Sequence, residues 1–232
     1  VRKPVDYRLF ERAVDSSEAV AGLFDAAASA LDEIASGRRE LHAVRHPLGF
    51  LCLPVERDGD RGVCLHVFGT GTPGMPGTTG PDPAPTASPV HSHSWELTSC
   101  VLYGSVGNLR VRVHEHPEVA THRVFEVRSD PAGVDDIRPT SRLVSCEPGP
   151  EQTVVGGEIY TLPAGEFHTS VIPRGTAAAT LLLGRSRPGR FDLSLGPVHG
   201  RGHRVVRQTC DAAQTARTAR TVLRRIDAPH PR

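Results

Sequence analysis

Between residues 42 and 183 apolar residues recur at alternate positions, in short runs closed by Gly, Pro, Asn and Asp. A period of two sends successive side chains to opposite faces, so each run reads as a strand. The runs fall at residues 46–54, 63–69, 93–103, 108–114, 121–127, 142–147, 158–162, 169–172 and 178–183. Between them stand Asp58-Gly59-Asp60-Arg61-Gly62, Gly104, Gly107-Asn108, Pro117, Asp130-Pro131-Ala132-Gly133, Pro148-Gly149-Pro150, Gly156-Gly157 and Pro173-Arg174-Gly175. These are turn formers, and many short strands punctuated in this way predict an all-β sandwich or barrel.

Helical spacing appears only towards the two ends. Val20, Leu23, Phe24, Ala27, Leu31 and Ile34 make one apolar stripe, with Asp15 placed to cap it, Glu18 three residues on and Gly37 placed to stop it. Residues 1–40 are therefore expected to be a helical extension, and residues 41–185 the β core. Residues 69–90 are dense in Gly, Pro and Thr and hold almost no large apolar side chain. Burial cannot repay the ordering of such a segment, so a mobile loop or lid is expected there. Residues 186–232 read as an irregular Arg/Gly/Pro stretch followed by a helix from about 209 to 227, closed by Pro229. With 232 residues in all, one domain is expected.

Composition removes several classes of function. A net charge of +1 argues against a globally basic nucleic-acid binder. On the last helix Arg217, Arg220 and Arg224 share a face, with Arg225 beside them, but no aromatic residue interleaves for base stacking. That face reads as solvated, and no nucleic-acid partner is expected. No run approaches the roughly 18 apolar residues of a spanning helix, so no membrane partner is expected either. The first residues lack the apolar core of a signal peptide, which makes a cytoplasmic location the default expectation. Cys52, Cys64, Cys100, Cys146 and Cys210 are odd in number, widely spaced and without a CxxC pair, as expected of reduced thiols.

Three histidines carry the chemistry. His91 and His93 lie two apart on an expected strand, so both imidazoles can reach one point in space. Further on stand Gly157, five residues, Pro163-Ala164-Gly165, two residues and His168. That spacing describes a strand, a tight turn and a return strand with a histidine just past the turn.

These two segments resemble the paired motifs of the cupin superfamily: HxH followed by a downstream glycine, then G-x5-P-x-G-x2-H. The likeness covers residues 90 to 172, and the second motif is complete through His168. It implies an all-β, cupin-type double-stranded β-helix (jelly-roll) barrel with one helix at each terminus. It also implies His91, His93 and His168 as metal ligands on the inner wall, and Gly104 as the glycine ending the first motif. Two positions depart from the family pattern. Leu97 stands where the first motif usually has a ligand glutamate, with Thr98 next to it, and Ile172 replaces the trailing asparagine of the second.

The nearest carboxylate, Glu96, is out of phase with His93 and reaches the metal only through a bulge. Phase therefore favours three neutral imidazoles, a donor set suited to Fe, Ni, Cu or Zn with positions left open. A ferrous site of this kind is similar to that of the thiol dioxygenases among the cupins. The resemblance implies a metal-dependent oxygenase, with Fe(II) and O2, acting on a small thiol, amino or carboxylate molecule. Two alternatives stay open. One is a redox-inert Zn, Ni or Mn enzyme (isomerase, lyase or hydrolase) with Glu96 or Tyr160 as base; the other is a small-molecule binding module.

The remaining candidates divide by phase. Trp95 and Tyr103 share the phase of His91 and His93, and Trp95 is placed to wall a pocket. Tyr160, on the strand before the turn, can donate a proton or anchor a substrate. His66 shares a strand face with Cys64 and Phe68, as a substrate contact or a packed core histidine. Arg110 and Arg112 sit beside a second HxH, His114 and His116, on a face that reads as solvated. Turned inward, they would grip a carboxylate. Cys100 has the opposite phase, away from the histidines. Exposed strand edges make a homodimer plausible.

Overall fold

The computed structural model describes residues 17–69, 88–115, 117–130 and 132–228. Asp15, His116, Pro229 and nearly all of the expected loop lie outside them.

The protein is mostly β, with two antiparallel seven-stranded sheets and a helix near each end. The first sheet contains β1 (Val44–Arg45), β2 (Leu51–Asp58), β3 (Arg61–Gly69), β5 (Trp95–Tyr103), β9 (Ile159–Leu162), β11 (Ala177–Ser186) and β14 (Gln208–Thr209), in the order β14-β1-β2-β3-β11-β5-β9. The second contains β4 (His91–Ser92), β6 (Ser105–His114), β7 (His122–Ser129), β8 (Val134–Val155), β10 (His168–Val171), β12 (Asp192–Pro197) and β13 (His203–Val206), in the order β13-β8-β6-β10-β4-β12-β7. One half of the long β8 pairs with β7 and the other with β6, so this sheet closes on itself through β8.

Alternation fixes what each face of the first sheet meets. Leu51, Leu53, Val63, Leu65, Val67, Leu181 and Leu183 point to one side and bury against the helices α1 (Ser17–Ala35) and α2 (Ala212–Ile226). α1 contributes the expected stripe of Leu23, Ala27, Leu31 and Ile34. α2 begins at Asp211, whose carboxylate accepts from the Gln214 N–H at 2.6 Å while the Gln214 side chain accepts from the Asp211 N–H, a reciprocal cap. On the opposite face Phe68, Leu97, Val101, Ala178 and Leu182 meet Val106 and Val154 of the second sheet. That shared apolar layer holds the two sheets together.

Several findings depart from the sequence reading: residues 46–50 form a turn ahead of β2 and not the start of a strand, and Gly107-Asn108 lies inside β6. The stretch expected to be irregular contains β12, β13 and β14, and β12 lies between β4 and β7. β8 runs through Pro148-Gly149-Pro150, which reads as a turn; Pro148 pairs with Val111 next to a register shift in β6, the kind of site where a strand tolerates proline. The strand expected at residues 93–103 begins only at Trp95, in the first sheet, while His91 lies on the separate β4 of the second. No helix among the described residues is long and apolar enough to cross a membrane.

Candidate metal centre

The crossing from one sheet to the other occurs at His93 and Ser94, and it is pinned from two sides. The Gly165 N–H donates to the His93 carbonyl at 2.8 Å, and the Ser94 N–H donates to Asp192 Oδ1 at 2.6 Å. Gly165 has φ of 87°, a left-handed conformation in which glycine is favoured, at the tight turn that delivers His168. His168 opens β10 directly opposite His91 of β4 on one side and Arg110 of β6 on the other. Val90, Phe167, Leu193 and Leu195 pack together on the far side of this sheet, which leaves the histidines on the face turned to the first sheet.

The three rings converge. Their centroids are 4.4 Å (His91–His168), 4.8 Å (His91–His93) and 5.1 Å (His93–His168) apart, and one nitrogen from each lies within 4.8 Å of the others. His91 Nδ1 is 2.9 Å from the Pro89 carbonyl, and His168 Nδ1 is 3.0 Å from the Glu166 carbonyl. A carbonyl only accepts, so both Nδ1 atoms carry the proton and both Nε2 lone pairs are free. This is the outer support a metal-bound imidazole ordinarily has. Burial, reinforced by neighbouring imidazoles, lowers the His91 pKa to about 4 and that of His93 well below the usual value. Burial also lowers that of His168, against the Glu166 carbonyl and carboxylate, which pull it up. Neutral rings are the ligand form, and the donor set fits a borderline transition ion such as Fe, Ni, Cu or Zn.

Around this group, Trp95 leans on His93 with centroids 4.2 Å apart and the planes tilted by 31°. It lies over Gly184, where a Cβ would come within 2.8 Å of the indole. Glu96 points the other way, is exposed and pairs with Arg187 at 2.6 Å, so it is not part of the histidine cluster. Arg110 sits at the edge, 2.8 Å from the Glu166 carboxylate, whereas Arg112 is exposed and bonds to Glu147 at 2.8 Å. His114 is also exposed, 3.5 Å from the same carboxylate. Tyr160 is buried in the inter-sheet layer; burial raises its pKa, and Ser99 and Asn108 beside its hydroxyl pull the other way. The Thr180 hydroxyl is buried with no hydrogen-bond partner among the described residues, and the buried Ser99 hydroxyl and Asn108 amide have only the Tyr160 hydroxyl beside them.

Strict alternation misplaces Tyr103. A register shift leaves Val101 opposite Thr180 and Tyr103 opposite Ala179, and Tyr103 turns to the helix side under Arg225, whose guanidinium is 5.4 Å from the ring. Cys100 packs on that side too, away from the histidines as its phase predicts. Arg217, Arg220 and Arg224 are exposed, and Arg220 donates to the Ala35 carbonyl at the end of α1 at 2.8 Å.

Two neighbours had no signal in the sequence reading. His46 stacks on Phe50 (4.3 Å, 8° between planes), and Phe50 leans on His66 at 4.5 Å. Burial, with His66 and His91 nearby, lowers the His46 pKa to about 3. His66 also belongs to a second group of potential ligands with Cys52 and Cys64. The two thiols act on each other: hydrogen bonding to Cys52 pulls the Cys64 pKa down, and the same contact, with burial, pushes that of Cys52 up.

No protein-family model matches the chain, and no curated protein matches it. What fold and site define together is a mostly β protein with a three-histidine group suited to holding a metal.

Proposed function

We propose that the chain is a metal-dependent enzyme of the cupin type, an Fe(II)-dependent dioxygenase acting on a small polar molecule. The observation that carries this reading is the ligand set: three neutral imidazoles, two with Nδ1 anchored on carbonyls, and no carboxylate among them. A three-imidazole face leaves coordination positions free for a chelating substrate. Bound iron would supply the redox chemistry that lets O2 react with an organic molecule.

The chain's own residues do the rest. His91, His93 and His168 hold the ion. Trp95, Phe50 and Phe68 exclude water from one side of the site, which strengthens every polar contact made within it. The Tyr160 hydroxyl, kept protonated by burial, can donate to a substrate oxygen or nitrogen. Ser99 and Asn108 beside that hydroxyl, and Thr180 with no partner among the described residues, add polar groups to the same interior, which suits a small polar ligand better than an apolar one.

Metal analysis of the purified protein combined with oxygen uptake across small thiols, amines and carboxylates tests the proposal. Stoichiometric iron and substrate-dependent O2 consumption, both lost in His168→Ala, are expected. Turnover that is unchanged without O2 on a zinc- or nickel-loaded protein would replace it with the redox-inert reading.

A further inference from the structure

The inter-sheet space holds a second set of metal donors, built by a different sheet. β2 and β3 pair so that Cys52 stands directly opposite His66, while Cys64 stands opposite Pro54. Leu51, Leu53, Val63, Leu65 and Val67 fill the helix side of these strands, so alternation turns Cys52, Cys64 and His66 to the other side together. One donor atom from each lies within 4.8 Å of the other two. Cys100 and Cys210 are in the helix-side core, and Cys146 sits on another strand with its sulfur 3.3 Å from His122. Two of the five thiols are thus gathered around one imidazole, while the other three lie apart.

From this placement we infer that Cys52, Cys64 and His66 form a second, thiophilic cation site, distinct from the three-histidine group, that takes Zn(II) or the chemically similar Cu(I). Two thiolates and one imidazole are a soft donor set, which selects these ions over Mg, Ca or Mn. The register argues against the obvious rival, a Cys52–Cys64 disulfide. The two residues are diagonal rather than opposite, and diagonal Cα atoms in an antiparallel pair are about 7–8 Å apart, beyond the usual span of a disulfide. A cation bridges that gap, because its bonds of roughly 2.3 Å to sulfur and 2.0 Å to nitrogen let donors stand well apart. On binding, the thiol protons leave to solvent and a fourth position stays open. The inference does not rest on the function proposed above.

Cobalt(II) is the probe, because thiolate ligation produces an intense near-ultraviolet charge-transfer band that an all-histidine site lacks. Reduced, metal-free full-length protein is titrated with Co(II) anaerobically. The band is expected in the wild type, bleached by Zn(II), retained in His91→Ala/His168→Ala and in Cys146→Ser, and lost in Cys52→Ser/Cys64→Ser. Zn(II) affinity at this site should fall roughly 100-fold or more in either single Cys→Ser variant, since losing a ligand costs at least what losing a ligand's support does. A wild type with no such band overturns the inference, and so does a band that survives in Cys52→Ser/Cys64→Ser. Loss of O2 uptake with the band intact would instead count only against the dioxygenase.

Discussion

His91 and His168 face each other across the ladder between β4 and β10, with ring centroids 4.4 Å apart and each Nδ1 within 3.0 Å of a backbone carbonyl. Register, not side-chain flexibility, sets their separation, so the pair is organised before any ion arrives. Replacing either one removes one of the three imidazoles that make up the group. His168→Ala and His91→Ala should each weaken Ni(II) or Fe(II) binding by roughly 100-fold or more, with little change in secondary structure. Calorimetric titration of the reduced protein measures this. Equal affinity in wild type and His168→Ala would mean that the ion sits elsewhere.

Trp95 is the only tryptophan in the chain, and its ring lies 4.2 Å from that of His93. Paramagnetic ions quench an adjacent indole, so stoichiometric Ni(II) or Cu(II) should extinguish most of the intrinsic emission and Zn(II) should not. Gly184→Val tests the support behind the ring. A Cβ there meets the indole at 2.8 Å, so the indole must shift, at a cost of about 1–3 kcal/mol in unfolding free energy. Emission that ignores Ni(II) would separate Trp95 from the bound ion.

Particular residues show how far the sequence could be read. The histidine triad was legible because the motifs that carry the resemblance are local: an HxH spacing, and a Pro163-Ala164-Gly165 turn with His168 just past it. Period-two alternation was enough to turn Glu96 away and to send Cys100 to the helix side. It failed at Tyr103, because the register shift between Val101 and Tyr103 arises from pairing with Ala179 and Thr180, which spacing cannot reveal. β12 was hidden for a similar reason. Its two core residues, Leu193 and Leu195, make too short a pattern among Arg, Gly and Pro, and its partners β4 and β7 are distant in the chain. The Cys52, Cys64 and His66 group needed the β2–β3 register, and His46 needed the path of the chain around Phe50.

His46 gives a pH dependence whose sign follows from burial. Its pKa is lowered from 6.5 to about 3, so the unfolded chain takes up a proton at mildly acidic pH and the folded protein does not. Stability is therefore complete above about pH 6.5 and falls as the pH drops from there towards 3. Because the ring keeps some solvent contact, about 1–2 kcal/mol should be lost by pH 5. His91 and His93 act in the same direction in metal-free protein. His46→Phe keeps a stacking partner for Phe50 and removes one titrating group, so denaturant midpoints at pH 5 and pH 7.5 should draw closer than in the wild type. An unchanged difference between the two midpoints would mean that His46 is protonated in the folded state.

Thr215 ties α2 to the first sheet. Its hydroxyl accepts from the Ala43 N–H at 3.0 Å and donates to the Asp211 carbonyl at 2.9 Å, and the side chain is fully buried. The Ala43 carbonyl in turn accepts from the Cys210 N–H at 2.8 Å, so the residues leading into β1 and into α2 are joined on both sides. Thr215→Val keeps the shape and removes the acceptor, leaving a buried N–H unpaired, which costs about 1–3 kcal/mol. Thr215→Ser keeps the hydroxyl and loses one methyl, a smaller cost of about 0.5–1.5 kcal/mol, by analogy with Ile→Val. Urea unfolding at constant slope should rank wild type above Thr215→Ser and Thr215→Val last. If valine proves as stable as serine, apolar packing of Ala219 and Val222 holds the helix, and the hydrogen bond does not.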